Sequence, residues 1–147
     1  MVTWGTFADE QPELAAFGAE RLTVAAAYIA TVRANGIPRV HPIAPFIGGG
    51  ELLVFMEPTS PKGRDLREGR PYALHTGVPD TFGSGGEFFV SGEGALIEDT
   101  ARRDIAAAAA AYAPEDRYIL FALTVREARC NGYGDVPLPA VTRWRAP

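Results

Sequence analysis

The chain has one cysteine, Cys130, one lysine, Lys62, and two histidines, His41 and His75. A lone cysteine excludes an internal disulfide. With only two histidines beside it, the usual zinc ligand sets cannot be assembled, so no metal site is expected. No apolar run reaches the roughly 18 residues of a membrane span. Asp9 and Glu10 lie where a signal peptide would have basic residues ahead of a greasy stretch. The expectation is a cytoplasmic protein without membrane contact. Positive charge is scarce too: 14 Lys and Arg face 18 Asp and Glu, a net charge of -4. No block of like charge is present, and nucleic acid is not an expected partner.

What is present describes one folded domain, 1–147, with 47% apolar residues and 22% charged. The 16 glycines and 12 prolines predict many turns and hence many short strands. All basic residues but Lys62 are arginine, which makes that lysine the one to follow.

Leu14, Phe17, Gly18, Arg21 and Leu22 fall on one stripe and predict an amphipathic helix from Pro12 to Leu22. Tyr28 to Ala34 and Ile37 to Phe46 read as strands joined by Asn35-Gly36, the dipeptide best suited to a two-residue turn with positive φ at both positions. Pro38 and Pro42 remove ladder donors from the second strand. It must therefore lie at an edge, pair on the other register or leave its backbone free for a ligand. Gly48-Gly49-Gly50 leads into Glu51 to Met56, apolar on both faces and expected to be central. Ser60 fits an N-cap, Pro61 a first helical position and Gly69 the residue past the end of a short helix. Tyr72 to Thr76 and Glu87 to Glu98 follow as strands, the second with a bulge or close approach at Gly92 and Gly94. A helix capped by Asp99 or Thr100 should run to about Tyr112 with Ile105, Ala108, Ala109 and Tyr112 on one face. Tyr118 to Glu127 and Ala140 to Arg145 complete a mainly β chain. The order lacks a βαβ rhythm and predicts an antiparallel barrel or sandwich decorated by helices.

The strongest chemical signal is Ser60-Pro61-Lys62. A helix start offers free N–H groups and partial positive charge, Ser60 adds a hydroxyl and Lys62 a full charge. That combination suits a phosphate, and Arg64 can reinforce it; a plain capping motif with an exposed lysine is the bland alternative. Arg39 and His41 share one face of the second strand, with Ile43, while Val40 and Pro42 point the other way. Two basic side chains beside a proline-freed backbone can line a groove for an anionic or planar ligand. His75 reads as core or interface. Neither a GxGxxG nor a GxxxxGK[ST] pattern occurs. No carboxylate pair or Cys130 triad stands out, so no catalytic residue is assigned.

These segments together, ATVRANGIPRVHPI, then ELLVFM, then SPKGRDLREGRPYAL, resemble the flavin-binding split-barrel family of pyridoxamine 5'-phosphate oxidase. GEFFVSGEGALIED and LFALTV look like later strands of the same pattern, which covers roughly Ala16 to Val125. The resemblance implies a six-stranded antiparallel split β-barrel with Greek-key character and two or three short peripheral helices. It also implies a homodimer binding FMN, or the deazaflavin coenzyme F-420, in a groove between protomers. By that resemblance Arg39, Val40, His41, Pro42 and Ile43 contact the flavin ring and phosphate, and Phe55 and Met56 lie along the cofactor. Ser60 and Lys62 match the phosphate-binding serine and lysine, and Trp144 is a candidate to stack near the dimer groove.

Two departures shape the reading. Pro61 stands where the family has an arginine, removing a charge-assisted contact worth about 1.5 to 3 kcal/mol. The C-terminal segment that grips pyridoxine phosphate has no counterpart, which argues against vitamin B6 oxidation. Branches that bind haem use a histidine near the C terminus, and none follows His75. The expectation is a flavin-dependent oxidoreductase acting on a small molecule, with a nicotinamide as a candidate electron donor. The alternatives are a non-catalytic flavin or deazaflavin carrier, a relic without cofactor, or a protein acting through dimer contacts alone.

Overall fold

Alternating apolar residues set two antiparallel sheets face to face in the computed structural model, which covers residues 1–147. The chain opens with α1 (Trp4–Glu10) and α2 (Pro12–Val24), followed by β1 (Ala27–Val32), β2 (Pro38–Ile43), β3 (Phe46–Gly48) and β4 (Glu51–Met56). Next come α3 (Pro61–Arg67), β5 (Tyr72–Thr76), β6 (Glu87–Gly92), β7 (Gly94–Ile97) and α4 (Thr100–Ala109). The chain ends with β8 (Ile119–Leu123), β9 (Glu127–Asn131) and β10 (Arg143–Arg145). One sheet has six strands in the order β10-β9-β6-β5-β1-β2, the other four in the order β3-β4-β8-β7.

The main core lies between the sheets. Ile29, Leu74, Phe88 and Val90 face Leu52, Val54, Phe121 and Leu123 across it. Trp4 and Phe7 of α1, Leu14 and Leu22 of α2 and Leu66 of α3 join the same cluster. A smaller cluster, with Leu53, Phe55, Leu120 and Ala122, lies under α4 on the outer side of the four-stranded sheet. β4 is therefore buried on both faces and internal to its sheet, as its composition predicted.

The antiparallel, mainly β character matches expectation, but the barrel is not a single six-stranded one. Three of the anticipated strands divide as the chain passes from one sheet to the other. Ile37 to Phe46 breaks at Ala44-Pro45 into β2 and β3; Glu87 to Glu98 breaks at Glu93 into β6 and β7. Tyr118 to Glu127 breaks around Thr124, so that β8 ends there and β9 begins. Hydrogen bonds stitch this last corner: Thr124 N–H donates to the Glu93 carbonyl (2.9 Å), Arg126 N–H to that of Ser91 (2.7 Å) and the Tyr72 hydroxyl to that of Thr124 (2.9 Å). The backbones pass so closely that a Cβ at Gly92 would lie 1.9 Å from the Thr124 carbonyl oxygen.

Other local expectations are corrected. There are four helices, since the seven-residue α1 was too short to show a period; Thr3 caps it by accepting from Thr6 N–H at 3.2 Å. Only Gly36 has positive φ in the β1–β2 connection, so Asn35-Gly36 is not a two-residue turn of that type. Gly36 N–H donates to the Arg33 carbonyl and Arg33 N–H to that of Ile37, a turn followed by a left-handed glycine. The paired positive-φ turn is Gly49-Gly50, between β3 and β4. α4 stops at Ala109 and turns Arg103, Ala106 and Ala107 inward, leaving Ile105 58% exposed.

Candidate functional site

β2 is an edge strand, paired only with β1. Pro38 and Pro42 have no N–H to give, so they occupy pairs that exchange no hydrogen bonds, opposite Val32 and Tyr28. The same parity turns the Val40 N–H and the carbonyls of Pro38, Val40 and Pro42 off the sheet edge. Arg39, His41 and Ile43 alternate to the inner side, where Arg39 reaches α3.

The centre of this contact is Asp65, which sequence reasoning did not single out. Its carboxylate is 1% exposed and accepts from Thr31 Oγ1 (2.7 Å) and Arg39 Nε (2.7 Å) on Oδ2, and from Arg70 Nη2 (3.1 Å) on Oδ1. Burial pushes this carboxyl up, but the hydrogen bonds from Thr31, Arg39 and Arg70 outweigh it and hold it below the ordinary carboxylate range. Arg70 also donates to the Val32 carbonyl (2.5 Å) and pairs with Glu68. One buried carboxylate thus ties β1, β2, α3 and the segment before β5 together. The available signal was a position: Asp65 adjoins Leu66 on the inner side of a short helix, beside a strand carrying arginine.

Ser60 occupies the N-cap position of α3, yet its hydroxyl makes no capping bond. It accepts instead from Lys62 Nζ at 3.0 Å, and Ser60 itself is buried. Lys62 is partly buried and has no carboxylate within ion-pair distance. Burial alone draws its pKa down, with nothing to offset it. His41 is also lowered, first by burial and then by the charges of Lys62 and Arg39, so it is neutral at pH 7. The chemistry of this donor set fits a phosphate: one ammonium, one hydroxyl, the part of the Arg39 guanidinium left free by Asp65 and the open edge of β2.

The structure brings Arg39, His41, Ser60 and Lys62 together, and Met56 is a core residue that packs against α3, its Sδ 3.1 Å from where a Cβ of Gly63 would stand. It does not gather the remaining candidates around them. Val40 and Pro42 turn their side chains to the outer sheet face, and Ile43 is core. Phe55 faces α4, stacked on Phe46 at 5.8 Å and covered by the Arg103 guanidinium at 5.1 Å. Arg64 is exposed and makes no ion pair. Trp144 sits on β10, at the edge of the sheet opposite β2; its ring packs on Phe7 at 5.0 Å and its indole N–H donates to Glu10 at 3.0 Å. Within one chain it is a structural aromatic.

No family model matches the sequence, and no curated protein aligns with it significantly. Solved structures do match. A NimC/NimA family protein from Clostridium acetobutylicum is 20% identical over 83% of this chain and 88% of its own, with a TM-score of 0.65. A protein of Lactobacillus delbrueckii, provisionally described as a pyridoxamine 5'-phosphate oxidase, is 18% identical over 76% of this chain and 88% of its own, with a TM-score of 0.61. HutZ, the haem storage protein of Vibrio cholerae, is 16% identical over 84% of this chain and 96% of its own, with a TM-score of 0.60. The chain has the split-barrel fold of pyridoxamine 5'-phosphate oxidase-like proteins. No helix is long and apolar enough to cross a membrane.

Proposed function

We propose that the protein is a flavin-dependent oxidoreductase that holds the FMN phosphate at Ser60 and Lys62 and the ring along the β2 edge. The observation that carries this reading is Lys62: a partly buried ammonium whose one hydrogen-bond partner is a neutral hydroxyl. An unmatched cation in such a place is stabilised by an anion. Bound flavin would supply hydride or electron transfer to a small-molecule substrate, with a nicotinamide as the proposed donor. The chain's part is to position and to set charge. Asp65 fixes the Arg39 side chain on α3, and the Val40 N–H and flanking carbonyls offer donors and acceptors off the sheet edge. His41, its pKa drawn down, offers a neutral imidazole beside Lys62 as a hydrogen-bonding group.

A second copy is proposed to cover the β1–β2 end of the outer face of the six-stranded sheet. There Tyr28, Val40 and Pro42 expose apolar surface next to the β2 edge, where a groove between protomers would run. A cytoplasmic location fits the free, buried thiol of Cys130. The second reading, flavin or deazaflavin carriage without turnover, is favoured by Pro61, which puts no donor at the phosphate position.

The test is titration of cofactor-stripped protein with FMN and with F-420, followed by absorbance and fluorescence. Micromolar or tighter binding of one, weakened at least tenfold by Lys62→Ala, supports the site. Reduction of the bound flavin by a nicotinamide separates enzyme from carrier, and binding of neither compound rejects both.

A further inference from the structure

One cross-strand row runs over the outer face of the whole six-stranded sheet: Pro42, Tyr28, His75, Phe89, Arg129 and Arg143, each opposite the next. It ends in two arginines that are cross-strand partners on β9 and β10. Like charges so placed repel and destabilise a sheet unless something neutralises them. One register step along the same two strands, Arg145 pairs with Glu127 at 3.1 Å. Neither Arg129 nor Arg143 has a carboxylate within 4.0 Å.

The pair lines a cleft of about 510 Å³, within the roughly 300 to 1,000 Å³ range of small-molecule sites. Leu138 and Thr142 line it as well, from the connection before β10. Arg129 is already ordered, its guanidinium stacked 4.4 Å over the Phe89 ring, so less side-chain freedom is lost on binding. The acid in the cleft, Glu87, faces His75 Nε2 at 3.5 Å. Its charge disfavours an anion at that end and leaves the arginine end as the anion's place.

We propose that Arg129 and Arg143 form an oxyanion subsite that takes the phosphate or carboxylate of a small organic molecule between two guanidinium forks. The subsite is separate from Ser60 and Lys62: it lies at the β9–β10 edge of the sheet, they lie beside β2. Arginine suits the role because its planar fork matches either oxyanion with two parallel hydrogen bonds.

The test uses Lys62→Ala protein, so that the proposed flavin phosphate site does not contribute. Inorganic phosphate and succinate are titrated in separate calorimetric runs at low ionic strength, against sodium chloride of equal ionic strength. Binding of either at one site per chain, weakened at least tenfold by adding Arg129→Gln and Arg143→Gln, is the expected result; the tighter ligand names the class. Thermal unfolding provides the second measurement. The bound anion should raise the melting temperature of the parent and not of the double arginine variant. No heat above the salt control, or binding that survives both substitutions, overturns the proposal.

Discussion

Asp65→Asn is the most informative change to the fold around the site. The substitution keeps the shape of the side chain and one acceptor but removes the charge that two arginines share. Arg39 and Arg70 are each about four-fifths buried, so water cannot fully replace the lost partner. Removing one member of a buried ion pair costs about 3 to 5 kcal/mol. Arg70 keeps Glu68 and the Val32 carbonyl, which places the expected loss near the lower end, about 3 kcal/mol. At roughly 3 °C per kcal/mol for a chain of this length, the melting temperature at pH 7 should fall by about 10 °C. The carboxyl's pKa is depressed in the folded state, so its contribution is present above the unfolded value, near 3.9, and is lost as pH falls through the folded one. Wild type and variant should therefore differ fully at pH 7 and converge only below about pH 4. Thermal circular dichroism across pH reads both effects. A loss under about 1 kcal/mol at pH 7, or a gap that does not close in acid, would refute the account of Asp65 as a buried charged acceptor.

Two further outcomes test other parts of the structure. Gly92→Ala should cost about 3 kcal/mol or more, or prevent folding, because its Cβ would meet the Thr124 carbonyl oxygen at 1.9 Å with backbone on both sides; denaturant unfolding with a stability near wild type would show that the crossing is looser than described. Pro61→Arg should tighten FMN about tenfold or more by adding a charge-assisted contact at the start of α3. No gain by fluorescence titration would mean the phosphate does not sit there.

Individual elements were legible where their signals were local. Leu14, Gly18 and Leu22 give α2 its buried side, and the doubly apolar Glu51–Met56 run predicts a strand covered on both faces. The division into two sheets was not legible, for a physical reason. Both sheets face one core, so the inward alternation of Phe88 and Val90 continues through the crossing to Leu96 without a break. A periodic pattern reports which side is buried and not which neighbour supplies the hydrogen bonds. Gly92 and Gly94 marked the place, and a close approach was one of the two readings their presence allowed. The site divides in the same way. Ser60, Lys62, Arg39 and His41 stand out from residue type and local position, whereas Asp65 acquires its role from Arg39, 26 residues away. No spacing rule marks an acidic residue as buried when its partners lie on other elements.

Asp65 also shows how this chain treats cations that the fold itself requires. Where Arg39 and Arg70 converge, a buried carboxylate lies between them and a threonine hydroxyl completes its shell. Across the Glu127–Arg145 step the same rule holds at the surface. Lys62 departs from it, with a hydroxyl where a carboxylate would neutralise it, and Arg129 with Arg143 departs again at the other edge of the sheet. Unpaired arginines alone in solvent, such as Arg64, carry no such meaning, because water screens them. Lys62 is different in being partly buried, and Arg129 and Arg143, though exposed, in lining one cleft from neighbouring strands. In both places the chain gathers positive charge that its own carboxylates do not match and that a bound anion would, which joins the two proposals to one physical argument while leaving each to its own experiment.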